Sequence, residues 1–248
     1  MAAGKGVAIT LAPYSSTAPF NCRIMQNSEK GLCPMGKPKT GRDTPGLAWR
    51  WVSERGLRVE TGDATLARYS ALVSRQFPEI DDMIPADGSL LLVLRRGSTV
   101  SEALQAALAA LPTGIQTPTG VLHEIGVEYG GVTGPDLPAL AEQLGMDMAN
   151  YIDSHASVEY TVAFVGFQPG FPYLRGLPHT LCAPRRASPR VRVAAGSVAI
   201  GGSYTGIYPS SGPGGWQIIG RTSSVMFDPQ REAPALLLPG DRVRFIPS

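Results

Sequence analysis

The stretch from Val162 to Gly220 constrains this chain more than any other. It opens on Val162-Ala163-Phe164-Val165-Gly166-Phe167, an apolar run with the length and the β-branched, aromatic character of a buried strand. The run enters Gln168-Pro169-Gly170-Phe171-Pro172, where two prolines and a glycine set a bent, pre-organised loop. Arg185, Arg186, Arg190 and Arg192 follow within eight positions, broken up by Pro184, Ser188 and Pro189. Ala195 to Gly202 then reads as a short strand bracketed by glycines, and Pro213-Gly214-Gly215-Trp216-Gln217-Ile218-Ile219-Gly220-Arg221 closes the segment. Glycine collects where the backbone takes positive φ or approaches something closely. The turns of a barrel account for part of this density of glycine, proline and arginine. Rigid loops bearing Arg, Gln and Ser are also where sites are built, so both a barrel and a site are expected here.

The surrounding chain agrees with a barrel. After His155 it consists of short strands between Gly/Pro turns: Val158–Phe167, Val191–Val193, Ser197–Ile200, Gln217–Gly220, Val225–Phe227 and Arg242–Ile246. His123 to Tyr129 alternates as a strand and opens this region. A helix pair follows, Leu137–Leu144 capped by Asp136 and Met148–His155 capped by Asp147. The pair mimics a helix-turn-helix, yet its second helix carries Asp147 and Asp153 and no Lys or Arg, a face that repels phosphate.

Upstream, the order is β-α-β-β-α. A strand at Leu57–Glu60 leads to a helix Ala64–Gln76 capped by Asp63. A weak strand Ile80–Ile84 and a buried one, Ser89–Leu94, precede a second helix, Val100–Ala110, capped by Ser98 or Thr99. This pattern predicts a small ferredoxin-like open sheet with helices on one face, and Leu111 to Gly120 reads as a linker. The expected organisation is α+β: an extension at 1–48, a small α+β domain at 49–116 and a barrel domain at 117–248. The extension holds every lysine (Lys5, Lys30, Lys37, Lys39) together with Cys22 and Cys33, and shows no hydrophobic period after Leu11. It is expected to be disordered and dispensable, with a targeting peptide as the functional alternative.

Composition excludes several classes. A net charge of +2 gives no basic face for nucleic acid. The three cysteines and three histidines fall in no metal-ligand spacing. No apolar run reaches the length of a membrane span, so a cytoplasmic location is expected.

The runs GFQPGFPYL, APRRASPRVRVAAGSVAIGGSYTGIYP and PGGWQIIGRT resemble the family that includes the B-subunit of 5-oxoprolinase, the sporulation-kinase inhibitor and allophanate hydrolase subunit 1. The resemblance extends from about Trp51 to Pro247. It implies a cyclophilin-like barrel carrying the helix pair. It also implies a non-autonomous subunit of an ATP-dependent amidohydrolase that opens 5-oxoproline to L-glutamate, with ATP as cofactor and companion subunits (C-like and A-like) as partners. A protein-binding regulator resembling the kinase inhibitor, or a subunit of a urea- or allophanate-processing enzyme, is the alternative.

Candidate site residues follow from residue chemistry. Arg185, Arg186, Arg190 and Arg221, with Ser188 and Ser197 beside them, offer planar forks for a carboxylate or phosphate. Each, taken singly, also fits an arginine stacked on the barrel surface. Arg190 and Arg221 lead, because each abuts a rigid element. His155 and Glu159, four residues apart at a helix-to-strand exit, form the candidate acid/base pair; the competing reading is a dipole-favoured helix-terminal histidine beside a solvated glutamate. Gln217 is a candidate hydrogen-bond partner for an amide or lactam. Phe167, Pro169 and Phe171, with Tyr173, wall a pocket or fill the core. Ser197 lacks the G-x-S-x-G elbow, and the chain has no GxxxxGK[ST] phosphate loop.

Overall fold

Leu57 and Val59 alternate with Arg58 and Glu60, so one face of their strand is fully buried and the other is left to charge. In the computed structural model, which describes residues 48–110 and 120–248, that strand belongs to a four-stranded antiparallel sheet. Its members are β1 (Trp49–Trp51), β2 (Gly56–Glu60), β3 (Ile80–Ala86) and β4 (Ser89–Leu94), in the order β1-β2-β4-β3. Two helices, α1 (Thr65–Val73) and α2 (Glu102–Ala109), contribute Leu72, Leu104 and Leu108 to a core shared with Leu57, Leu90 and Leu92. The β2-α1-β3 connection, with β4 inserted between its strands, is the expected ferredoxin-like outline. Its outer position is filled by β1, from the N-terminal side.

The helix starts differ from expectation. Asp63 makes no cap bond, because Gly62–Ala64 forms a 3-10 turn leading into α1. Ser101, not Ser98 or Thr99, caps α2 by accepting a hydrogen bond from the Leu104 N–H at 3.1 Å. The extension expected at the N-terminus and nearly all of the linker lie outside the described residues.

The second body is built from β5 (Leu122–Tyr129), α3 (Leu137–Gln143), α4 (Met148–Ala156), β6 (Glu159–Val165), β7 (Pro172–Arg175), β8 (Arg190–Val193), β9 (Ser197–Gly201), β10 (Tyr204–Ile207), β11 (Gly212–Gly214), β12 (Gln217–Arg221) and β13 (Arg242–Pro247). Seven strands close into a barrel, β10-β7-β6-β13-β5-β12-β9. Closure leaves no edge among them. The β5–β13 pair is parallel and the other pairs are antiparallel. β8 leaves the barrel and pairs only with β11 in a two-stranded ribbon. The segment Val225–Phe227, expected as a strand, makes only an isolated bridge from Phe227 to Ala235. β7, β10 and β11 are three or four residues long and contain proline or glycine, too short for a period of two to be read from the sequence.

The barrel is filled. Val127, Val162, Ile200, Ile219, Val243 and Phe245 point inward, and α4 adds the fully buried Tyr151 and His155. A smaller aromatic cluster on the outer side joins Phe171, Tyr208 and Trp216 to Val193 of the ribbon. The interior of the barrel is therefore core among the described residues.

Candidate functional site

The turn before α3 places Asp136 beneath β12. Gly134 is pressed against the Ile219 carbonyl, so closely that an added Cβ would lie 2.1 Å from its oxygen. Asp136, expected as a helix cap, makes no cap bond. Its Oδ2 accepts the Ile218 N–H at 2.6 Å, and its Oδ1 accepts from Arg190 Nη2 at 2.7 Å and from Arg186 Nη1 at 3.2 Å. Two of the arginines expected to bind an external anion are thus bound to an internal one. One carboxylate against two guanidiniums leaves an excess of positive charge, and Arg190 Nη1 is buried without a partner.

The remaining arginines are placed by neutral groups. Arg185 lies 5.8 Å from the Trp216 ring centroid in a cation–π contact. Arg192 Nε donates to Ser211 Oγ at 2.9 Å, and Arg221 Nε donates to the Ala195 carbonyl at 3.1 Å. Among the described residues, none of these three forms an ion pair.

Arg221 stands where two clefts meet. The larger, of about 710 Å³, is floored by Gly126 and bounded by Glu128, Thr133, Arg221, Ser223 and Ser224. Its size is that of a small-molecule site. The smaller, of about 220 Å³, shares Thr133 and Arg221 and adds Arg190, Arg192 and Ser197. Arg221 and Glu128 are direct partners across β12 and β5, so their side chains leave the same face of the sheet. They do not reach each other, for no ion pair within 4.0 Å joins them.

The structure brings Arg190, Ser197 and Arg221 together and separates the other candidates from them. His155 is 0% exposed. Thr205 Oγ donates to the Ala199 carbonyl, so His155 carries its proton on Nε2, donates to Thr205 at 3.0 Å and accepts from the Tyr129 hydroxyl at Nδ1, at 2.8 Å. Burial pushes its pKa down to about 3 and pushes that of Tyr129 up. Its ring stacks on Phe245, with centroids 4.8 Å apart, as a neutral core group. Glu159 instead accepts from Arg242 at 3.1 Å and from Arg244 at 3.5 Å on the barrel's outer face. Tyr160, the next residue, points inward, and the strand's alternation turns Glu159 away from His155. The expected acid/base pair is not formed.

Gln217 is a strut, its Nε2 donating to the Pro184 carbonyl at 3.0 Å at the root of the arginine loop. Ser188 is exposed on that loop. Phe171 is buried in the aromatic cluster, Pro169 is exposed, and Phe167 is half-exposed at φ +68°; none of the three lines either cleft. Sequence reasoning missed Glu128, Thr133 and the Ser223–Ser224 hydroxyls. The signal for Glu128 was an unpaired charge on an exposed strand face, uninformative until register places it opposite Arg221. Among the described residues, no group of three His, Cys, Asp or Glu side chains is placed to hold a metal, and no helix is long and apolar enough to cross a membrane.

A closed barrel with a ribbon and a small split sheet, carrying an arginine cleft on its outer face, matches one family along most of its length. The chain belongs to the carboxyltransferase domain family, subdomains C and D, which matches residues 48–237. Among curated relatives, the 5-oxoprolinase B-subunit of Escherichia coli O157:H7 is 47% identical over 184 residues, 68% of this chain and 79% of that one. The crystal structure of TTHA0988 is 37% identical with a TM-score of 0.67, covering 78% of this chain and 40% of that chain. The K. lactis urea amidolyase shares the fold at 20% identity and a TM-score of 0.63, over 85% of this chain and 15% of that chain. The chain thus spans less than half the length of either solved protein.

Proposed function

We propose that this chain is a subunit of an ATP-dependent 5-oxoprolinase that opens 5-oxoproline to L-glutamate in a complex with companion subunits. The observation that supports this most is the 47% identity to a 5-oxoprolinase B-subunit across 79% of its length. The cleft at Arg221 suits the chemistry. 5-Oxoproline is a carboxylate-bearing lactam, and Arg221 presents a guanidinium that no carboxylate of the described residues occupies. A two-point charge-assisted contact orients such a substrate and is worth roughly 1.5–3 kcal/mol.

These residues do not complete a hydrolase by themselves. His155 is sealed in the core, Glu159 is held in an outer ion-pair row and Gln217 is tied to the backbone, so none of the three expected groups is free to handle protons at the cleft. No lysine follows Lys39 and no phosphate-loop motif occurs, so these residues form no lysine-based phosphate cradle. The test is 5-oxoproline turnover by the reconstituted complex. Arg221→Ala raises the KM for 5-oxoproline by about 10- to 100-fold, and Arg221→Lys recovers little because it keeps the charge but loses the fork. The purified chain alone makes no glutamate. Absence of turnover by the reconstituted complex would overturn the reading; unchanged kinetics of Arg221→Ala would remove Arg221 from the site, and turnover by the chain alone would remove the need for a partner.

A further inference from the structure

The two clefts that meet at Arg221 carry more charge information than a carboxylate site needs. Glu128 faces the larger one from the neighbouring strand, on the same face as Arg221, and is ion-paired to nothing among the described residues. Two residues before it on that face, Gly126 leaves open space: a Cβ added there would meet nothing within 4 Å. A carboxylate and a guanidinium held a strand apart, side by side and unpaired, are complementary to a ligand that bears an ammonium next to a carboxylate. In the adjoining small cleft, Arg190 and Arg192 line a second cationic end.

We infer that this double cleft recognises an acidic α-amino acid, with Glu128 as the residue that selects for its ammonium group. The inference rests on the proposed reaction for its role in the enzyme. The lactam nitrogen of 5-oxoproline is an uncharged amide. In hydrolysis the C–N bond breaks, the hydroxyl of water goes to the carbonyl carbon and its hydrogen to nitrogen. The freed amine then takes a proton from solvent and becomes an ammonium. The new carboxylic acid gives its proton up to solvent, so the same ring opening creates a second carboxylate. L-Glutamate therefore acquires on ring opening both charges that the cleft complements: the ammonium opposite Glu128, and a new carboxylate for the side that Arg190 and Arg192 line, while the α-carboxylate stays on Arg221. Glu128 makes the cleft a site for the opened product over the closed substrate.

The test uses the purified full-length chain and three probes in calorimetric or NMR titrations: L-glutamate, glutarate (the same two carboxylates without the amine) and 5-oxoproline. L-Glutamate is expected to bind about tenfold or more tightly than either of the others, the size of one charge-assisted contact. Glu128→Gln brings L-glutamate down to the level of glutarate and leaves glutarate unaffected. Gly126→Leu, whose Cβ would meet nothing within 4 Å, abolishes binding of all three with an unchanged melting temperature. Equal binding of L-glutamate and glutarate, a preference that survives Glu128→Gln, or no binding of L-glutamate at about 10 mM would each overturn the inference. These outcomes are separate from the turnover test: loss of the Glu128 preference leaves turnover by the complex standing, and absence of 5-oxoproline turnover by the reconstituted complex sinks the proposed reaction whatever Glu128 does.

Discussion

Asp136 organises the arginine side of the molecule from a single buried carboxylate. It accepts one backbone and two guanidinium donors, so its removal leaves two cations and the Ile218 N–H without an acceptor. Asp136→Ala should cost roughly 2–4 kcal/mol, discounted from the fully buried case because Arg186 and Arg190 are partly solvated. Asp136→Asn, which keeps an acceptor for Ile218, should cost less. Urea unfolding of the two variants decides the order, and equal losses would mean that the charge contributes nothing. His155 sets a different kind of limit. Its pKa is lowered from 6.5 to about 3 by burial, so the unfolded chain takes up the proton first. The stability that the neutral ring contributes is complete above pH 6.5 and is lost as pH falls from there toward about 3. This group alone should make the protein roughly 2 kcal/mol less stable at about pH 5 than at about pH 7.5. His155→Gln should flatten that part of the profile, and an unaltered slope in unfolding measurements would assign it to other groups.

At the scale of elements, the ribbon of β8 and β11 stands on aromatic packing. Trp216 lies flat on Gly201 of β9, where an added Cβ would come within 2.5 Å of the indole ring. Phe171 and Tyr208 continue the same layer, and Arg185 covers the indole. Gly201→Ala should therefore displace Trp216 and cost about 1–3 kcal/mol by overpacking. Gly126→Ala, placed over open space, should stay within ~0.5 kcal/mol of the parent. Chemical denaturation of the pair, with Trp fluorescence as the probe, compares them directly; similar losses would contradict this account of the ribbon. The Gly166–Gly170 turn carries strain of its own, since Phe167 is an aromatic residue held at φ +68°. Its ring is fixed edge-on against Phe171 at 5.5 Å, and the Gly166 N–H donates to the Phe171 carbonyl at 3.1 Å.

Across the whole molecule, the small sheet meets the barrel through exposed polar contacts. The Tyr204 hydroxyl donates to Asp87 at 2.8 Å, Arg175 stands 4.0 Å from the same carboxylate, and β3 runs beside β6. Such solvated contacts are individually weak, so Asp87→Ala should cost less than about 1 kcal/mol. A larger drop in the unfolding free energy would show that this junction carries more of the stability than its exposure implies. The outer face, with its unpaired arginines and its open cleft, is where a companion subunit would have to contribute. The barrel supplies a rigid frame for these charges.

Local information decided the elements of this protein, and global packing decided its site. The Leu57–Glu60 alternation, the 162–167 apolar run and the glycine-bracketed strand at Ser197 are legible because each depends on a few neighbours in sequence. So was the concentration of arginines around a barrel. The sequence could not show which arginines are spoken for, because Asp136 lies about fifty residues from Arg186 and Arg190 and meets them only once the barrel closes. The same holds for His155, whose spacing from Glu159 suggests a pair that the inward-facing helix and the strand's alternation pull apart. Glu128 and Arg221 are ninety-three positions apart, and only the antiparallel register of β5 with β12 makes them neighbours. Charge pairing and burial depend on distances through space, and those exist only in the closed fold.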